Sequence, residues 1–339
     1  MRKNLFVLTV LGMLAVALVV LTGPAQAAET VQLTYSIFFP ATHGNTILAT
    51  EWAKEIEKRT NGAVKINMFP GGTLTPADQC YDGVVKGISD IGMSVCSYTA
   101  GRFPLTEVID MPLGYKNGKQ VTLLCNAYYK KFKPKEFDDV KIMYLHGHGP
   151  GIFHTKKPVE KMEDLKGMKI RCTGTSKKVV SALGATPVAM PQPETYDALQ
   201  KGVVDGVVSP IETLKGWKFG EVVKSSTENF GSSYSLAFFV AMNKKKWDSL
   251  PKDVQETIEK INDEWIQKTA QKWDEFDVEG KKLTLEKGNK VIELSKEEDE
   301  RWKKAVQPVL AEYVEAMKAK GLPGDEALKF CQEWLSKNP

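Results

Sequence analysis

Residues Leu165 to Pro210, LKGMKIRCTGTSKKVVSALGATPVAMPQPETYDALQKGVVDGVVSP, restrict the fold more than any other stretch. Met168 to Arg171 reads as a short apolar strand, broken by Cys172-Thr173-Gly174. A helix-like segment leads to a second strand from Ala185 to Met190. A second helix begins near Pro193, stops at Gly202 and passes into a third strand, Gly206 to Ser209. Strand–helix–strand–helix–strand units make parallel sheets and present binding groups at the carboxyl ends of their strands, facing a crevice. Arg171 stands at such an end. Its guanidinium offers a planar fork of donors to a carboxylate or sulfonate. The commoner fate of an arginine is a surface ion pair.

An earlier segment follows the same plan. Val31, Leu33, Tyr35 and Ile37 alternate as a strand over Val31 to Phe39, followed by a loop with Pro40 and His43. Thr46 to Thr60 spaces Ile47, Leu48, Trp52 and Ile56 as one helix face, closed by Asn61-Gly62. Val64, Ile66 and Met68 alternate as a strand up to Pro70-Gly71-Gly72. Thr75-Pro76-Ala77-Asp78 reads as the start of a helix, with threonine as the cap and proline in the first turn. Asp90 to Val95 is the next strand. Tyr81-Asp82-Gly83-Val84-Val85-Lys86-Gly87-Ile88-Ser89-Asp90 aligns without gaps on Tyr196-Asp197-Ala198-Leu199-Gln200-Lys201-Gly202-Val203-Val204-Asp205. That offset of 115 residues is too long for a solenoid period and indicates two similar α/β lobes. The glycine-rich run His146-Gly147-His148-Gly149-Pro150-Gly151 is the expected first crossing between lobes, and Leu236 to Val240 the second. A long helical pattern from Pro251 to Gly280, a helix over Lys296 to Lys320 and a short last helix are expected to brace both lobes. The expected division is a leader over 1–27, a first lobe over 28–146 plus about 238–285, and a second over 147–237 plus about 286–339.

Leu165-Lys166-Gly167, Lys169-Ile170-Arg171, Gly184-Ala185-Thr186-Pro187 and Tyr196-x-Ala198-Leu199-Gln200-x-Gly202-x-Val204-Asp205-Gly206 carry a resemblance. Together they resemble the solute-binding proteins of tripartite ATP-independent periplasmic (TRAP) transporters, the DctP-like family. The resemblance runs from about Val31 to at least Leu250 and includes Asp90-Ile91-Gly92, Phe103-Pro104-Leu105 and Met242-Asn243-Lys244. It implies a two-lobed, type II-like periplasmic-binding-protein fold with a long C-terminal helix spanning both lobes. It implies that Arg171 pairs with a ligand carboxylate and that Ser209, before Pro210, faces the ligand. Many relatives carry asparagine at that position, so the ligand's identity does not transfer. Gln192 falls where relatives present a ligand-facing side chain. The implied partner is a permease of one small and one large membrane subunit, driven by an ion gradient.

Other candidates come from the residues themselves. Glu212, just after the strand-end turn, would accept from a ligand hydroxyl or amine if it faces the cleft; otherwise it is an acid favoured by a helix N-terminus. Phe38, Phe39 and His43 follow the first strand, Ser94 and Tyr98 a later one, and Tyr234 precedes the second crossing. His146 and His148 point to one face if extended. With His154 or His43 they make three nitrogens, enough for a metal receptor. The alternating glycines and the lack of a nearby acid or cysteine favour a backbone that approaches a ligand, with imidazoles as donors; a flexible hinge with solvated histidines is the plainer alternative.

Arg2 and Lys3, the apolar run Leu5 to Leu21 and Ala25-Gln26-Ala27 form an export signal, with cleavage expected after Ala27 and a periplasmic destination. Losing Arg2 and Lys3 takes the formal charge from +4 to +2, since no acid precedes Glu29. That near-neutral balance gives no footing for nucleic acid. The Lys130, Lys131, Lys133, Lys135 cluster is followed at once by Glu136, Asp138 and Asp139. Five cysteines without a CxxC leave at least one thiol unpaired in a monomer and argue against a metal cluster. No nucleophile elbow, P-loop, HExxH or dinucleotide fingerprint is present. The reading is a monomeric, cofactor-free exported receptor for a small organic anion: a carboxylate first, a sulfonate second, and an aromatic acid if the phenylalanines line the pocket. A metal receptor and an exported enzyme with an unrecognised site are the rivals.

Overall fold

The computed structural model describes residues 30–339. The expected leader and the expected cleavage site after Ala27 lie outside them. The first lobe opens with β1 (Val31–Ile37), α1 (Gly44–Arg59), β2 (Val64–Phe69), α2 (Cys80–Lys86), β3 (Ile91–Val95), α3 (Gly118–Phe132) and β4 (Val140–Gly147). The second continues with β5 (Ile152–Thr155), β6 (Lys169–Cys172), α4 (Ser176–Ala182), β7 (Thr186–Ala189), α5 (Thr195–Gln200), β8 (Gly206–Ser209), α6 (Thr213–Gly216) and β9 (Ser225–Glu228). β10 (Ala237–Asn243) returns to the first sheet. α7 (Lys244–Asp248), α8 (Lys252–Glu286), β11 (Lys290–Glu293), α9 (Lys296–Ala319) and α10 (Gly324–Lys337) complete the chain. The first sheet has the order β2-β1-β3-β10-β4 and the second β11-β9-β5-β8-β6-β7. β1 runs parallel to β2 and β3, whereas β10 lies antiparallel between β3 and β4.

The alternation in β1 buries Leu33, Tyr35 and Ile37. In α1, Leu48, Trp52 and Ile56 enter the core, and the Trp52 indole N–H donates to Asn262 Oδ1 on α8 at 3.0 Å. Ile47, expected on that face, is 51% exposed, because the buried stripe runs through Asn45, Leu48, Ala49 and Trp52 instead. Thr75 is also not a cap. α2 begins five residues later behind Gln79, and the Thr75 hydroxyl pairs with Ser36 Oγ at 2.6 Å, tying the loop to β1.

The internal repeat has a physical basis. Gly87 and Gly202 both take φ of +74°, a left-handed turn that ends the helix without a Cβ penalty. Three residues on, Asp90 Oδ2 accepts from the Thr34 backbone N–H and Asp205 Oδ2 from that of Lys169, each at 2.8 Å. Each aspartate thus bonds an amide of a strand in its own sheet. The tyrosines diverge: Tyr81 donates to Asp139, Tyr196 to Glu221.

The chain crosses between Gly147 and Ile152 and again between β9 and β10. α8 packs on α1, α3 and β4 of the first lobe and, further along, on α6 and β11 of the second. The expectation that 286–339 belongs to the second lobe needs correction. β11 joins the second sheet, but α9 leaves it: Trp302 meets Phe153 edge-on, whereas Tyr313 donates to Leu105 O. α10 packs on α3, because its apolar face (Ala327, Cys331) completes a first-lobe core. All five cysteines are free and buried.

Candidate ligand-binding site

A narrow cavity lies where the strand ends of the two lobes face each other. The second lobe supplies its polar wall. Arg171, near the end of β6, is 1% exposed. Its Nε and Nη2 donate to Met190 O at 3.1 and 2.7 Å, and Nη1 donates to Gln192 Oε1 at 2.5 Å. A guanidinium has five N–H donors. Two therefore remain, one on each terminal nitrogen, able to meet two oxygens of one anion, and the Tyr98 hydroxyl lies close to the same guanidinium. Among the described residues no carboxylate stands within ion-pair distance of it. A buried cation without a counter-charge is costly.

Glu212 is the acid that does border the cavity, and it turns to His43 instead, with Oε2 3.3 Å from Nε2. It precedes α6 but makes no side-chain cap bond. His43 caps α1, its Nδ1 accepting from the Asn45 N–H at 3.1 Å. The pair spans the two lobes between this cavity and a larger open one lined by Ile47, Lys215 and Phe276. Asp277 of α8 accepts from the Glu212 N–H at 3.1 Å; burial first, then the Glu212 charge, raise its pKa well above the usual carboxylate range. A Cβ on Gly149 would fall 1.7 Å from Asp277 Oδ2, so glycine at the first crossing lets α8 reach both lobes.

The first lobe and α8 supply aromatic walls. Phe38 stacks on Phe39 at 4.2 Å and faces Phe238 of β10 at 6.4 Å. Trp217, from the second lobe, lies nearly parallel to Phe38 at 6.1 Å. Tyr98 meets Phe38 edge-on, and its hydroxyl accepts from the Gln192 N–H at 3.1 Å. Burial raises the Tyr98 pKa against the opposing charge of Arg171. Tyr234 borders the cavity and donates to Val208 O at 2.9 Å. Ser209 also borders it, its hydroxyl paired with Thr213 at 2.9 Å.

Several expected residues lie elsewhere. Ser94 does not face the cavity: it is buried on β3 and donates to Ala77 O at 2.6 Å. His43 borders the outer cavity rather than the inner one. The histidines are neither solvated nor gathered. His146 accepts from the Trp273 indole, His154 bonds Ser226 Oγ and Ser209 O, and only His148 borders the inner cavity. Burial lowers the pKa of His146 to about 3 and of His148 and His154 to about 4. The described residues contain no group of three His, Cys, Asp or Glu fit to hold a metal. Trp217, Phe238 and Trp273 were missed in the sequence. Trp273 continues the apolar face of Ile258, Ile261 and Trp265, which marks it as buried but not as a cavity wall.

The family model of bacterial extracellular solute-binding proteins, family 7 (DctP), matches residues 35–316. The chain belongs to this family. It is a solute receptor of a TRAP transport system and not an enzyme. TRAP receptors bind small organic acids outside the cytoplasm and work with a membrane permease. A TRAP periplasmic solute-binding protein from Desulfovibrio salexigens, in an open complex, is 34% identical, covers 90% of this chain and 95% of its own, and superposes with a TM-score of 0.80. A marine metagenome TRAP protein specific for aromatic acids, in complex with metahydroxyphenylacetate, is 30% identical over 91% of this chain and 99% of its own, TM-score 0.86. A TRAP protein from Bordetella bronchiseptica with bound (R)- and (S)-mandelate is 29% identical over 91% and 100%, TM-score 0.84.

Proposed function

We propose that this receptor binds an aromatic monocarboxylate between its lobes. One observation carries the reading: Arg171 is buried without a counter-charge and has two N–H donors that no carboxylate or carbonyl takes, beside aromatic rings. A planar carboxylate fits that pair of donors better than a tetrahedral sulfonate, and it supplies the missing charge. The apolar body then lies among Phe38, Phe238 and Trp217. A second carboxylate would meet Glu212, which disfavours dicarboxylates. Ligands of two similar proteins, metahydroxyphenylacetate and mandelate, support the class. Binding favours closure about the two crossings. The mature chain, cut after Ala27, acts in the periplasm as a monomer and hands its ligand to a permease of one small and one large subunit.

A thermal-shift screen of the leaderless protein tests this, using benzoate, mandelate, benzenesulfonate, succinate and divalent zinc beside Arg171→Met. A ligand at 100 times its Kd adds about 2.7 kcal/mol of stability. Aromatic carboxylates should raise Tm clearly, succinate little, and R171M should lose at least about a hundredfold in affinity without a fall in the Tm of the free protein. Stabilisation by zinc alone, or equal stabilisation of R171M, would sink the reading.

A further inference from the structure

His148 borders the cavity with one ring nitrogen committed and the other bare. Its Nδ1 lies 2.5 Å from Gly149 O. A carbonyl oxygen only accepts, so Nδ1 carries the hydrogen and Nε2 presents a lone pair. That Nε2 is buried and has no hydrogen-bond partner. The ring is held by Tyr234 at 5.7 Å, Phe238 at 6.1 Å and Trp273 at 6.2 Å, all edge-on, and Ser235 donates to the His148 carbonyl at 2.7 Å. The imidazole therefore has little freedom to turn its lone pair elsewhere. Burial, reinforced by the Arg171 charge, keeps it neutral at physiological pH. Three other polar groups of the lining already have partners: Tyr234 with Val208, Tyr98 with Gln192, Ser209 with Thr213. A buried acceptor left unpaired on ligand binding costs affinity, and a site built around one rejects a ligand lacking the matching donor.

We infer that His148 is a specificity-determining residue that accepts a hydrogen bond from a hydroxyl of the ligand, so the preferred ligand is a hydroxylated aromatic monocarboxylate. Arg171 reads the anion and His148 reads the donor. The inference rests on the carboxylate reading above. It differs from the sequence expectation, in which the histidines act as donors: the Gly149 carbonyl fixes the opposite tautomer.

Titration calorimetry of the leaderless protein with matched acids tests it: phenylacetate against mandelate, and benzoate against 3-hydroxybenzoate, each hydroxylated acid also as its methyl ether. The hydroxylated acid should bind about tenfold tighter than its parent in at least one pair, a net hydrogen bond's worth. The methyl ether, which cannot donate, should lose that gain. In His148→Phe the ratio within the pair should fall to within about twofold. Parents that bind as tightly as their hydroxylated forms in both pairs, an ether that keeps the gain, or an H148F protein that keeps the ratio would each overturn the inference and leave the carboxylate reading standing. If none of these acids binds, the carboxylate reading falls and takes this one with it. The wild-type ratios alone can still overturn the inference if H148F does not fold.

Discussion

The two walls of the cavity do different work. The second lobe presents directional groups from strand ends and turns: Arg171, Gln192, Ser209 and Glu212. The first lobe presents ring faces from β10 and from the loops after β1 and β3: Phe38, Phe39, Tyr98 and Phe238. Directional donors demand a rigid mount, since a guanidinium displaced by an ångström no longer matches its anion. Ring faces tolerate small shifts, because burial scales with area. The lobe that reads charge should therefore be sensitive to backbone perturbation, and the lobe that reads shape to loss of side chains.

The largest expected effect comes from the backbone under the polar wall. A Cβ on Gly280 of α8 would stand 2.4 Å from Ile211 O and 2.7 Å from Glu212 Cα. Gly280→Ala must push α8 away from the turn that carries Glu212. It should cost about 1–3 kcal/mol in urea unfolding and weaken acid binding as well. Full stability with full affinity would show that the polar wall needs no such rigid backing.

A smaller effect separates a buried carboxyl of the first lobe from the buried histidines. Asp110, in the first lobe, bonds the Ala237 N–H through Oδ1 and leaves Oδ2 unpaired; burial raises its pKa to about 8. Its folded pKa lies above the unfolded one, so its contribution to stability is complete below about pH 4 and is lost as pH rises through 8. His146, His148 and His154 act oppositely. With folded pKa values of about 3 to 4, they stabilise above pH 6.5, and that contribution is lost on acidification. Above pH 6.5 the buried carboxyls act without them, and the part of the decline toward pH 8 that Asp110 adds beside Asp277 is at most about 1.4 kcal/mol per pH unit. Asp110→Asn should make this decline shallower, measured by urea unfolding between pH 6.5 and 8. An unchanged slope would mean the carboxyl is already ionised in the folded protein.

The smallest effect tests the indole ring that the second lobe contributes to the aromatic wall. Trp217→Ala should cost aromatic acids about 1 kcal/mol of affinity while an aliphatic monocarboxylate loses less. Equal losses would assign Trp217 to interlobe contact rather than to the ligand.

How much of this was legible follows the same split. Arg171, Gln192 and Ser209 stand at strand ends or turns whose positions the strand–helix pattern of 165–210 reveals. Phe238 sits in the apolar run of β10 and Trp273 on the apolar face of α8, where burial in a core and exposure to a cavity leave the same pattern. Thr75 looked like a cap because the residues after it suit a helix; its hydroxyl was claimed by Ser36, 39 residues away. Ser94 sits on a fully buried strand, whose lack of alternation hides which face meets the ligand. The histidines were misread for a similar reason: the sequence shows their spacing but not the Trp273 and Ser226 partners that separate them.

The place of β10 also bears on how the chain reaches its native state. It is inserted between β3 and β4, yet about ninety residues, including five strands of the other sheet, separate it from β4 in the chain. Until it arrives, the facing edges of β3 and β4 have no partner, and unpaired edges invite intermolecular pairing. Five strands of the second sheet are by then complete, so that lobe can form first and deliver β10 to its slot. The first lobe, although it begins the chain, should close last. Such non-local pairing slows folding. A chain threaded through a membrane before it folds would thus emerge with its first-made strands still waiting for a partner.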